Sequence, residues 1–231
     1  MGISEYFEEG WYRELKEYVE SKDFISIGRK IAKEREINKI IPPKNSDLFL
    51  KVFRVVPYNK VKVVILGQDP YHGDGQFDGI AFSNSTLDSP QPSLANILEE
   101  VENDIYDGLN LDRINNYNLY DWARQGVLLT NAAHTVIAGN PGSHMHYWKN
   151  FTNHVVRSLI KKDNIVWLLW GRFAQGYKPL IIENKTHHII ETSHPSPLGV
   201  LKKAPISFAD SKCFSKCNKY LEELGIEKII W

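Results

Sequence analysis

The sequence predicts an α/β fold: a single domain with a central, mostly parallel four-stranded β-sheet and helices on both faces. Three observations predict it. Four short apolar runs, Val61–Leu66, Val127–Thr130, Ile165–Trp170 and His188–Thr192, have strand length and are rich in Val, Ile and Leu. Stretches with apolar residues at helical spacing separate them, at Ser93–Tyr106, Tyr117–Arg124, Tyr147–Lys161 and around Ala174–Ile182. Finally, 231 residues with 42% hydrophobic and 24% charged content suit one sizeable core under a charged surface.

In chain order, "SEYFEEGWYRELKEYVES" and "DFISIGRKIAKERE" read as two helices. "IIPPK" interrupts the pattern, and "NSDLFLKVFRVV" starts a further helix behind an Asn/Ser cap. The alternation of strands and helices then begins at Val61. Cys213 and Cys217 are four apart on a last helix. That spacing is poor for a disulfide, and two thiols alone make no zinc site, so both are helix-face residues without chemistry. No internal repeat, low-complexity tract or linker divides the chain, so residues 1–231 are expected to form one domain.

Charge excludes little in total, because 28 basic and 28 acidic residues cancel. Its distribution says more. Residues 1–115 carry 14 Lys/Arg against 20 Asp/Glu, whereas residues 116–231 carry 14 against 8. Within 172–219, Arg172, Lys178, Lys185, Lys202, Lys203, Lys212, Lys216 and Lys219 face only Glu183, Glu191 and Asp210, a basic sector able to attract phosphates. No apolar run approaches the roughly 20 residues of a membrane span, and the acidic amino terminus is unlike a secretory signal. An intracellular, cytoplasmic protein (nuclear in a eukaryote or a nuclear virus) with no membrane contact is expected.

In parallel sheets ligands bind just beyond the carboxyl ends of the strands. Here those ends are followed by "GQDPYH", "NAAHT", "GRFAQG" and "SHPSPLG". Polar and glycine-rich groups therefore converge on one edge of one sheet, which makes a composite cleft.

"GQDPYHG", "PSL" at 92–94, "GVLLTNA" at 126–132, "LLWG" at 168–171 and "HPSPL" at 194–198 occur in the order and spacing of family 1 uracil-DNA glycosylases. The chain resembles that family from "IIPPK" to Trp231. The resemblance implies hydrolysis of the N-glycosidic bond of uracil in DNA, in base-excision repair, with no cofactor and no metal. Such a bond breaks with positive charge growing on the sugar and negative charge on the base. The site therefore needs an anion near the sugar and hydrogen-bond donors at the base. The matching residues are Asp69, which positions water and stabilises the sugar cation, and His194, a neutral donor to uracil O2. Tyr71 excludes the thymine methyl, Asn131 reads O4 and N3–H, Phe82 stacks on the flipped base, and Gln68 adds polar groups to the pocket.

The resemblance also assigns DNA contacts. His72 lies near the phosphates. Ser93, Ser196 and the Gly171 loop match three phosphate-pinching loops, and Leu198 matches a wedge that fills the vacated base stack. The chain departs from the family pattern at Arg172 and Gly199, where serines are common, and at Lys202, where arginine is common; "APISF" replaces a glycine-rich segment. For Phe82 a core role competes, because "IAFS" has the composition of a short strand. His72 has a purely structural turn role as its rival, and Arg172 a solvent-exposed or acid-paired one.

Two other functions compete. A glycosylase-like DNA-binding module serving mainly as a replication partner conflicts with intact Asp69, Asn131 and His194. A metal-dependent phosphoesterase lacks a cluster of carboxylates or an HxH spacing near Asp69. Iron–sulfur relatives need four cysteines, and this chain has 2. The expected partners are uracil-containing DNA, single- or double-stranded, and a proteinaceous inhibitor or replication proteins, with the protein acting as a monomer.

Overall fold

The structure, a computed structural model, describes residues 2–85, 89–108, 117–201 and 206–231. Helix α1 (Glu9–Val19) begins where the Glu8 carboxylate accepts the N–H groups of Gly10 and Trp11. Helix α2 (Lys22–Glu34) begins where the Ser21 hydroxyl accepts the N–H of Phe24. Both bury one stripe: Trp11, Leu15, Tyr18 and Val19 from α1, and Phe24, Ile27 and Ile31 from α2. The first helix expected from sequence is divided, because Ile3–Tyr6 forms a separate 3-10 turn before the extended cap residue Glu8.

Strand β1 (Ile40–Ile41) follows, too short to carry a periodicity. The helix expected from Asn45 is reduced to one turn, α3 (Val52–Val55), because Asn45 and Leu50 adopt φ of 60° and 53°. Strand β2 (Val63–Gly67) is wholly buried. Helix α4 (Pro92–Ile105) has proline in its first turn, where no N–H is missed. Helix α5 (Tyr120–Arg124) starts three residues later than the periodicity implies, after Asn118 accepts the N–H of Tyr120.

Strand β3 (Val127–Asn131) leads into β4 (Val136–Ile137), which pairs antiparallel with β1. Helix α6 (Met145–Ile160) then returns the chain to β5 (Val166–Trp170). The helix expected around Ala174–Ile182 is two pieces, α7 (Gly171–Gln175) and α8 (Lys178–Ile181), broken at Gly176–Tyr177. Strand β6 (His188–Thr192), α9 (Pro197–Leu201) and α10 (Cys213–Glu223) complete the described chain.

Strands β3, β2, β5 and β6 lie in that order, all parallel. The pattern of buried apolar runs arises because both faces are covered. Val64, Leu66 and Trp167 meet Thr152, Val155 and Leu159 of α6 on one face. On the other, Trp170 approaches Phe214 of α10 with ring centres 6.0 Å apart. Register pairs Gly67 with Asn131, Ile65 with Leu168 and Trp170 with Thr192, so the four carboxyl ends are level. Cys213 and Cys217 are free and buried, and burial raises the Cys213 thiol to about 12.

Candidate active site

The first wall of the cleft is the turn after β2. Asp69 is half-buried, and its Oδ2 accepts the Gly142 N–H at 2.5 Å. Burial pushes the carboxyl above its ordinary value; the Gly142 bond, the nearby His72 and a Gln68 hydrogen bond oppose it. Gly142 stands two residues before His144, the N-cap residue of α6. Gln68 and His72 are exposed beside it, and the His72 carbonyl accepts the Gly139 N–H at 3.1 Å.

The floor explains Gly67. A Cβ there would lie 2.3 Å from Asn131 Oδ1 and 3.4 Å from Phe82 Cε2. Glycine thus lets an amide and an aromatic ring close over the end of β2 from two directions. Asn131 is 6% exposed, and among the described residues no group bonds its side-chain amide. Phe82 is not in a strand: it takes φ 63° in a turn, with its carbonyl accepting the Tyr71 hydroxyl at 3.1 Å. The buried carboxylate of Asp78 secures this turn through Ser83 Oγ at 2.6 Å, and Ser83 Oγ also accepts the Leu119 N–H. Burial and Asp78 both raise the Tyr71 phenol, so it stays neutral.

The opposite wall is His194, after β6. Its Nδ1 accepts the Ser196 N–H at 3.0 Å, and burial lowers its pKa. The neutral ring therefore carries its proton on Nε2, the free side. Phe82 lies 6.0 Å from the His194 ring and 5.5 Å from Trp170. Two glycines grip the His194 backbone. A Cβ on Gly171, which has φ 84°, would sit 2.9 Å from His194 Cβ; one on Gly199 would sit 2.1 Å from the His194 carbonyl. The glycine found where serine is common is thus required by close approach in this chain.

Around the rim, Ser93 is the second residue of α4, whose N-cap Gln91 makes no side-chain cap. The Asn96 amide donates to the Pro195 carbonyl at 2.6 Å and ties that helix end to the Ser196 loop, where Ser196 Oγ accepts the Gly199 N–H. Leu198 belongs to α9 rather than to a loop and is 71% exposed. Arg172, on α7, is exposed and has no ion pair among the described residues. The basic sector is partly neutralised, since Lys178 pairs with Glu191 and Lys219 with Glu223. Lys202 lies outside the described residues. No group of three or more His, Cys, Asp or Glu able to hold a metal occurs among the described residues, and none of their helices is long and apolar enough to cross a membrane.

Gly142 and Asp78 were not legible as site residues. Gly142 approaches Asp69 from 73 positions away, and "QFDG" carries no signal that its aspartate is buried.

Residues 53–222 match the family model of the uracil DNA glycosylase superfamily. A uracil-DNA glycosylase of Coxiella burnetii is 42% identical over 223 residues, 96% of this chain and 93% of that protein. One from Porphyromonas gingivalis is 39% identical over 226 residues, 97% of each chain. The crystal structure of mimivirus uracil-DNA glycosylase superposes with a TM-score of 0.87 at 26% identity, covering 100% of this chain and 89% of that one. A mimivirus UNG variant in complex with UGI superposes equally well, with a TM-score of 0.87 at 26% identity, over 100% and 91% of the two chains.

Proposed function

The chain belongs to the uracil DNA glycosylase superfamily, and from that premise we propose how its cleft carries out the family's reaction. The enzyme removes uracil from DNA by hydrolysing the N-glycosidic bond, releasing the free base and leaving an abasic site for repair. A DNA-binding module with secondary catalysis finds no support among the relatives, which are named for the glycosylase activity.

A base in a duplex must first leave the stack, at a cost of a few kcal/mol. Ser93, Gly171, Arg172 and Ser196, with His72 and Lys202, are the groups we assign to the phosphates, and Leu198 to the vacated space. The exposure of Leu198 and the tie between Asn96 and Pro195 support this. In the pocket, Phe82 stacks on uracil, Tyr71 stands at C5, and the Asn131 amide donates to O4 while accepting N3–H. Gln68 supplies further polar contact. As the bond lengthens, the Asp69 carboxylate faces the sugar cation and orients water, while His194 Nε2–H takes up charge on O2. No proton need reach the base before it leaves, because a preorganised neutral donor stabilises the anion.

The observation that carries this reading is the meeting of Asn131 and Phe82 over Gly67, with His194 6.0 Å from Phe82. The whole chain, 1–231, acts as one domain, supported by a buried cluster running from Phe7 to Trp231. We take the protein to act inside the cell as a monomer on single- and double-stranded DNA. An inhibitor protein is a further partner, supported by the mimivirus complex with UGI; for replication proteins nothing comparable speaks. The test is a single-uracil oligonucleotide in excess EDTA. Free uracil and an uncut, alkali-labile strand are expected. Metal dependence or direct backbone cleavage would overturn the reading.

A further inference from the structure

We propose that Glu34 and His144 form a positioning pair for the Asp69 carboxylate, acting through the loop Gly139–His144. The proposal rests on the catalytic reading of Asp69 given above.

His144 is 1% exposed and ends that loop as the N-cap residue of α6. Its ring is held on both sides. Thr135 Oγ1 lies 2.7 Å from Nδ1, and Glu34 Oε2 lies 2.8 Å from Nε2. Thr135 Oγ1 also accepts the Trp148 indole N–H at 2.8 Å, so the Thr135 proton is free to point at Nδ1. Donors then run one way: Trp148 to Thr135, Thr135 to His144, and His144 Nε2–H to Glu34. The Tyr147 hydroxyl donates to the other Glu34 oxygen at 2.5 Å. These hydrogen bonds, Tyr147 first, keep the Glu34 carboxyl below its ordinary value and therefore ionised. His146 is the further titratable neighbour felt by Glu34.

Two residues before His144, Gly142 donates its N–H to Asp69. Between them Ser143 Oγ accepts the Ile137 N–H at 2.9 Å, and Gly139 donates to the His72 carbonyl. The loop thus has one face on the catalytic turn and its far end locked to α2. A side chain 110 positions from His144 fixes where the Gly142 N–H points. Without Glu34, a buried imidazole N–H loses its acceptor, which is costly enough to shift the ring and the peptide attached to it.

Glu34→Ala, Glu34→Gln and Tyr147→Phe in the full chain test this, assayed on a single-uracil oligonucleotide across pH. Glu34→Ala should lower kcat about tenfold to a hundredfold with KM unchanged, as expected of a misplaced reacting group. Its acid limb should move to higher pH, because the lost Gly142 bond was lowering the Asp69 pKa. Glu34→Gln keeps an acceptor for His144 and should restore most of the turnover. Tyr147→Phe, the mildest change, should shift the limb in the same direction by less, and serves if Glu34→Ala does not fold. In an Asp69→Asn background, Glu34→Ala should cost nothing further in the residual rate. A lowered Tm with wild-type kcat and acid limb, or losses that simply add to those of Asp69→Asn, would overturn the proposal. If Asp69→Asn alone left turnover intact, the catalytic reading itself would fall instead.

Discussion

His194 receives the main-chain N–H of Ser196 on Nδ1 at 3.0 Å, two residues along the same turn. That one bond decides which nitrogen faces the cleft with a proton. A charged ring would put a second N–H against the Ser196 N–H, and burial already disfavours the charge.

The first prediction follows. Nitrogen NMR of the labelled protein should show His194 neutral, with its proton on Nε2, at about pH 7.5 and above. Its titration should lie below the ordinary histidine value near 6.5. A His194 signal that becomes cationic at or above that value would contradict the assignment.

Asp69 makes an opposite prediction for stability. Its folded-state pKa is raised, chiefly by burial. Between the unfolded value, near 3.9, and the folded one, the native state holds the extra proton, so unfolding free energy falls as pH rises through that window. Asp69→Asn removes this cost. The variant should melt above the wild type at neutral pH, and the difference should vanish below about pH 4. Equal melting temperatures at pH 7 would mean that burial is not straining the carboxylate.

Base selectivity gives the third. Tyr71→Ala opens space where the thymine methyl would lie, while the Tyr71–Phe82 bond is lost. Thymine release should become measurable. Asn131→Asp reverses the donor and acceptor pattern and should yield cytosine release, since a wrong base otherwise leaves buried polar groups unpaired. Unchanged specificity in both folded variants would place recognition elsewhere.

Arg172 provides the fourth. Its guanidinium is exposed on α7 and free of ion pairs among the described residues, which removes the acid-paired alternative there. Arg172→Ala should weaken DNA binding evenly across sequences and reduce the log–log salt slope by about one unit. An unchanged slope would mean that the side chain points to solvent in the complex.

The sheet and the polar turns that line the cleft were legible because local chemistry announces them. A strand running into "GQDPYH" or "SHPSP" changes character within two residues. The level strand ends then follow from parallel pairing alone. What escaped depends on distant neighbours. Gly67, Gly171 and Gly199 are visible as glycines, yet only the fold shows that Asn131, Phe82 and His194 press against them. Strands β1 and β4 have two residues each, too few for any period. Phe82 has strand composition but is bent by Tyr71 and held from beneath by Asp78 and Ser83, whose contacts reach across the turn.

Asp69 is proposed to act on charge present in the transition state and not on DNA binding. Single-turnover uracil release by Asp69→Asn, with binding to the same oligonucleotide measured alongside, tests it most directly. A rate lower by orders of magnitude with nearly unchanged affinity is expected. A preserved rate constant with weakened binding would contradict it.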